Sequence, residues 1–185
     1  MSGGGEASER LTPLLEEIDH VRGECGAELE LVMFGDFQCP FCLGAQSVLR
    51  RVRQRLDGRL LFAFRHLPIP EQHPLALIAA EASEAAAAQG KFWEYHDALY
   101  AEQPKLSPET MVRVAAELGL DADLLAAELE AGTHRPRVDR DLASAAASGA
   151  TGTPTFFVNG SRFFGAYDAS SLVEALEAGT ATPER

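Results

Sequence analysis

The sequence predicts an α/β fold: a mixed central sheet carrying a large all-helical insertion. Three observations lead there. Strand and helix signals alternate between residues 29 and 66. Only helix signals occur from about 75 to 150. A hairpin signature and a closing helix then follow. The chain has 185 residues, enough for one domain with a sizeable core.

Leu29–Phe34, "LELVMF", is a short apolar run with Gly35 and Asp36 behind it, and reads as a buried strand ending in a turn. Beyond Cys39 the periodicity changes. Phe41, Ala45, Val48, Leu49, Val52 and Leu56 recur at helical intervals, and Pro40 suits the first helical turn, where a missing N–H costs little. Asp57-Gly58 ends this helix. "RLLFAFRH", residues 59–66, is a second strand, and "LPIPEQHP" a loop. Strand–helix–strand order implies a parallel βαβ unit.

In the helical block, "LALIAAEASEAAAA" is rich in strong helix formers. "FWEYHDALYA" brings aromatics at helical spacing, which points to core packing. Ser107-Pro108 and Asp121 open two further helices, which Gly119 and Gly132 close. "RVDRDLASAAASG" adds one more. "TPTFFVNG" then reads as a strand turning at Asn159-Gly160 into a partner strand "SRFFGA". Asp168 caps the last helix, which carries Leu172 and Leu176 on one face. The antiparallel hairpin makes the sheet mixed.

The expected organisation is a flexible segment over 1–18, one domain over 19–179 with its insertion at about 75–150, and a tail at 180–185. The formal net charge of −12 disfavours nucleic-acid and anionic-membrane partners. No apolar run reaches the roughly 20 residues of a membrane span. The first residues carry neither a basic nor an apolar leader region, so a cytoplasmic location is expected, or an extracytoplasmic one if a leader was removed. A monomer is expected.

Cys39 and Cys42 carry the chemistry. They lie where a strand gives way to a helix, at a terminus whose unsatisfied N–H groups stabilise a thiolate. Residues i and i+3 share a helix face, so Cys42 is placed to resolve a mixed disulfide formed at Cys39. Other readings exist. A structural zinc site needs about four ligands. Yet there is no second CxxC, and neither Cys25 nor the five histidines show compact spacing. A phosphatase-type nucleophile needs an arginine six residues on, where Ala45 and Val48 stand. A closed structural bridge or two inert buried thiols remain as further alternatives. The residues favour redox exchange without cofactor or metal. Asp36 is the nearest acid for proton transfer, although as a turn residue it is expected to be exposed. Phe37 and Phe41 are expected to form a small apolar patch for unfolded polypeptide. Cys25 reads as a free thiol.

"DFQCPFC" after an apolar strand, with "TGTPTFFVNG" far downstream, resembles the DsbA-like branch of the thioredoxin superfamily from about Asp19 to Gly179. The resemblance implies a thioredoxin fold with a helical insertion. It implies Cys39 as the attacking and Cys42 as the resolving cysteine of a protein-disulfide oxidoreductase. Pro40 and Phe41 are then the dipeptide that tunes the potential, Pro154 a cis-proline against the pair, and Thr153 a residue facing the site. The implied partners are protein or small-thiol disulfides and a redox partner. Two positions depart from the family. Phe41 stands where strongly oxidising members often have His, and Met33 where a buried acid is common. A glutathione-linked, glutaredoxin-like enzyme is the alternative within enzymes, because CPFC is similar to CPYC. A non-catalytic redox-sensing or binding module is the alternative outside them.

Overall fold

A computed structural model describes residues 9–179. The expected tail over 180–185 and residues 1–8 of the segment expected to be flexible lie outside the described residues.

The elements follow in the order β1 (His20–Arg22), β2 (Leu29–Gly35), α1 (Pro40–Arg55), β3 (Leu60–His66), α2 (Ala76–Ala88), α3 (Phe92–Ala101), α4 (Pro108–Glu117), α5 (Ala122–Ala131), α6 (Arg135–Ala147), β4 (Thr155–Val158), β5 (Ser161–Arg162) and α7 (Ala169–Ala178). A single turn of 3-10 helix, Gln103–Lys105, links α3 to α4. The five strands form one sheet in the order β1-β3-β2-β4-β5. The β2–β3 pair is parallel and the other three pairs are antiparallel, so the sheet is mixed. No helix among the described residues is long and apolar enough to cross a membrane.

Both faces of the sheet are covered, which is why β2 and β3 read as near-continuous apolar runs. Side chains on a strand alternate between faces. Leu29, Leu31 and Met33 of β2 join Phe62 and Phe64 of β3 under α1, α7 and helices of the insertion. Val32, Phe34 and Ala63 point the other way, onto Phe157, Ala145 of α6 and Leu11. Asn159 (φ 47°) and Gly160 (φ 78°) make the β4–β5 turn, the two left-handed residues that a tight hairpin requires.

Two strands depart from the sequence reading. β1 has no apolar run to announce it; edge pairing with β3, His20 opposite Phe64, defines it. β5 spans Ser161–Arg162 rather than all of "SRFFGA", with Phe163 N donating once more to Phe156 O (2.9 Å). Within the segment expected to be flexible over 1–18, residues 9–18 are described and Leu11 is the buried one. Leu11 is 3 % exposed, and its N–H donates to Gly160 O (2.9 Å).

Arg65 anchors that segment. β3's alternation sends it to the face opposite Phe64, where it is fully buried. Its Nε and Nη2 donate to Asp19 Oδ1 (2.9 Å) and Oδ2 (2.7 Å). Nη1 donates to Pro13 O and Ser144 Oγ (both 2.8 Å), and Nη2 also to Leu14 O (3.0 Å). Every guanidinium N–H therefore has a partner, which is what a buried arginine requires.

Candidate active site

β2 delivers the chain to the site. Gly35 closes the strand against Phe64, and a Cβ there would meet the ring at 2.4 Å, so only glycine permits this approach. The chain then turns through Asp36, and Cys39 N donates to Asp36 O (3.2 Å). Cys39 is the N-cap of α1 in an extended conformation, and Pro40 follows in the first turn. Cys42 lies one turn in, fully buried beside Ala45 and Leu49.

The insertion braces this turn. Gln103 Nε2 donates to Phe37 O (2.7 Å) and Cys39 O (3.0 Å), and the Tyr100 hydroxyl donates to Asp36 O (3.3 Å). From the opposite side, the loop before β4 brings Thr153-Pro154, whose peptide bond is cis. The Cys39 thiol donates to Thr153 O at 3.4 Å. Thr153 Oγ1 is buried without a partner.

The two thiols are electrostatically unlike. The Cys39 pKa is pulled down to about 5, chiefly by the Cys42 thiol that hydrogen-bonds to its sulfur. Burial works against this, and the Thr153 hydroxyl and the N–H groups of Cys42 and Phe41 add to it. Those N–H groups belong to the first turn of α1, where no intrahelical acceptor exists. Cys42 is pushed far up, first by burial and then by the Cys39 sulfur beside it. Of the two, Cys39 is therefore the sulfur that ionises first, and Cys42 the one that keeps its proton.

Cys39, Phe41, Ile69, His73, Gly152 and Thr153 line a cleft of about 270 Å³. A larger hollow of about 590 Å³ opens among α2, α4 and α5, lined by Ile78, Val112 and Leu129 and containing no nucleophile. The smaller cleft is the one next to the chemistry.

Two expectations about the turn need correction. Asp36 is not exposed; it is 1 % accessible. Its Oδ1 accepts from Gln38 N (2.7 Å), and Oδ2 accepts from Ile69 N (3.1 Å) and pairs with His73 Nδ1 (2.8 Å). Phe37 does not flank the site as surface; it packs in the core against Phe64 and Tyr100. Phe41 alone of the two is exposed, at 75 %. Met33 is fully buried among apolar side chains. The "FWEYH" aromatics are core, with Phe92, Tyr95 and His96 all buried. Cys25 is exposed.

Sequence spacing offered no compact metal ligand set, yet the fold brings His20, His66 and Glu84 together, their donor atoms within 4.8 Å of one another. Both Nε2 atoms lie 2.7 Å from Glu84 Oε1. Arg137 Nε stands 3.9 Å from the other carboxylate oxygen, so a cation already faces this carboxylate. Glu84 Oε1 is thereby shared by the two imidazoles, while His66 Nδ1 is buried without a partner. His73 and Gln103 were the residues of the active-site surroundings that sequence reasoning missed. Each lies in irregular backbone or a single turn, where periodicity says nothing.

A sheet of this topology, a CxxC at the start of its first long helix, a cis X–Pro facing the pair and a helical insertion define a DsbA-like protein of the thioredoxin superfamily. Residues 16–178 match the thioredoxin family, and the chain belongs to it. Among solved structures it is similar to BdbD from Bacillus subtilis in its oxidised form. The TM-score is 0.79 at 24 % identity, over 85 % of this chain and 90 % of that one. It is also similar to a thioredoxin-like oxidoreductase from Silicibacter pomeroyi. There the TM-score is 0.77 at 27 % identity, over 90 % and 95 % of the two chains. Its curated relatives carry another name. It is 45 % identical to the Na(+)/H(+) antiporter NhaA of Herminiimonas arsenicoxydans, over 97 % of this chain and 30 % of that protein. It is 43 % identical to Na(+)/H(+) antiporter NhaA 1 of Mycolicibacterium vanbaalenii, over 91 % and 28 %. The chain therefore spans less than a third of the length of these relatives.

Proposed function

We propose that the chain is a thiol–disulfide oxidoreductase acting on protein or small-thiol disulfides, with Cys39 as nucleophile and Cys42 as resolving thiol. The observation that carries this reading is the unlike pair: a thiol held near pKa 5 at a helix N-terminus, backed by a buried thiol that keeps its proton. Attack by the Cys39 thiolate on a substrate disulfide forms a mixed disulfide and releases one substrate sulfur as thiolate. Cys42 then loses its proton, attacks Cys39 Sγ, closes the Cys39–Cys42 bond and releases the second substrate sulfur, so that the proton leaves with the product thiol. The dithiol is oxidised by two electrons and the substrate disulfide is reduced; the reverse sequence oxidises a substrate dithiol. No bound cofactor enters either direction.

The surroundings have matching roles. Thr153 Oγ1, buried without a partner while the Cys39 thiol donates to Thr153 O, becomes a donor to the sulfur once Cys39 is a thiolate. Pro40 and Phe41 set the potential by omission, because neither side chain donates to that sulfur. Phe41, exposed at the cleft, offers apolar surface to a polypeptide substrate, and Pro154 shapes the wall opposite.

The test is turnover of insulin disulfides with a thiol reductant. Wild-type protein should accelerate reduction, and Cys39→Ser should fall to the uncatalysed rate. A rate requiring glutathione specifically would favour the glutaredoxin-like alternative. A second reading draws on the curated relatives, in which the matching region is under a third of an antiporter. There the domain would be a redox-sensing module of a transporter. Wild-type protein no faster than Cys39→Ser would leave that reading in place of the enzyme.

A further inference from the structure

Each exchange step at Cys39 expels a thiolate. A substrate cysteine has an ordinary pKa of about 8.5, so at neutral pH its sulfur leaves more readily if a proton arrives with it. Of the side chains lining the cleft, only Cys39 and His73 are titratable. Cys42 is sealed beneath, and Met33 offers no proton.

We propose that His73 is the proton carrier of this site and that Asp36 is its positioning residue. The proposal rests on the oxidoreductase reading above and assigns that chemistry a further group. His73 lies in the loop between β3 and α2, and its side chain is 17 % exposed. Asp36 sits behind it, buried and held by the N–H groups of Gln38 and Ile69. An acceptor fixed in this way takes the Nδ1 proton, at 2.8 Å, and so sets the tautomer and the ring plane. Nε2 then remains as the exchanging atom. It has no hydrogen-bond partner among the described residues, and it belongs to a side chain that lines the cleft with Cys39.

The step balances as follows. The Cys39 thiolate attacks a disulfide, the S–S bond breaks, and the leaving sulfur takes the proton from Nε2 of the imidazolium. Neutral His73 keeps its Nδ1 proton toward Asp36 and regains the Nε2 proton from water. In the reverse direction Nε2 removes the proton of an attacking substrate thiol.

A pair that merely pins the loop to the cysteine turn would make no distinction between substrates. A proton carrier does, because an acidic leaving thiol needs no proton and a basic one does. The test compares wild-type chain with His73→Gln on dithiobis(nitrobenzoate), whose thiol is acidic, and on bis(hydroxyethyl) disulfide, whose thiol is not. The expected result is a loss of about a hundredfold on the alkyl disulfide with less than a twofold change on the aromatic one. In His73→Ala, added imidazole should restore the alkyl rate and leave the aromatic rate alone. Equal rates for both proteins on both probes would overturn the proposal. Equal slowing on both probes without imidazole rescue would overturn it too, since that marks a structural role. In both cases a fast wild-type reaction with the aromatic probe would leave the oxidoreductase reading standing. A wild-type chain inert toward both probes would remove that reading and this one with it.

Discussion

Cys42→Ser should convert the chain into a trap: on incubation with a disulfide substrate it accumulates a covalent adduct at Cys39, seen as a mass increase that a reductant reverses. The expectation follows from the inequality of the two sulfurs. Cys39 keeps its helix-terminal N–H groups and still attacks. The hydroxyl that replaces Cys42 cannot close a disulfide, so the intermediate outlives the wild-type one. Wild-type protein should show little adduct, because its resolving sulfur hydrogen-bonds to Cys39 Sγ before the reaction begins. The variant also removes the largest cause of the lowered Cys39 pKa, so trapping should be slower at acid pH than the wild-type first step. Absence of adduct under conditions where wild type turns over would contradict the assignment of roles.

Arg65→Met should cost about 3–5 kcal/mol of stability in a denaturant titration, the usual penalty for removing one partner of a buried ion pair. Asp19 has no exposed side-chain surface and would be left with Arg140 Nη1 at 3.3 Å as its remaining cation. The carbonyls of Pro13 and Leu14 would lose their donors as well. The damage should centre on the covering N-terminal segment, with hydrogen-exchange protection at Leu11 lost before that of β2. In Asp19→Leu/Arg65→Met the buried charge is gone, so the pair of changes should cost less than the sum of each alone. A cost for Arg65→Met below about 1 kcal/mol, in the range of exposed pairs, would contradict this account.

How much could be read from the sequence depended on whether a feature is local. The β2–α1 junction was legible because apolar run, turn and helical period all fall within 29–56 and agree with one another. The hairpin was legible for the same reason, since Asn159-Gly160 encodes its own turn. The cysteine pair's surroundings were only half legible. The N–H groups that stabilise Cys39 follow from the helix start, whereas the Thr153 hydroxyl and carbonyl arrive from more than a hundred residues away. Asp36 read as an exposed turn acid because nothing in "GDFQ" announces that Ile69 and His73 will close over it. Arg65 is the plainest example. A lone arginine in an apolar strand looks like a polar interruption, and its five donors find partners only when β3, α6 and residues 13–19 meet. The same tertiary step seats Leu11 and Leu15 against Val32, Phe34 and Phe157, which no local pattern in that stretch announces.

The central claim is that Cys39 is the thiolate of the pair, and its ionisation can be followed directly. In a Cys25→Ser background, which removes the exposed third thiol, the ultraviolet absorbance of the reduced protein should rise in one thiolate step as pH is raised. Cys42 stays protonated through this range because burial holds its proton. The Cys39 pKa is lower folded than unfolded, so this group stabilises the reduced fold fully above about pH 8.5, the unfolded thiol value. That contribution should shrink as pH falls and vanish below about 5. An absorbance midpoint near 5 is the result expected. A midpoint at about 8.5, the value of an unperturbed thiol, would contradict the assignment.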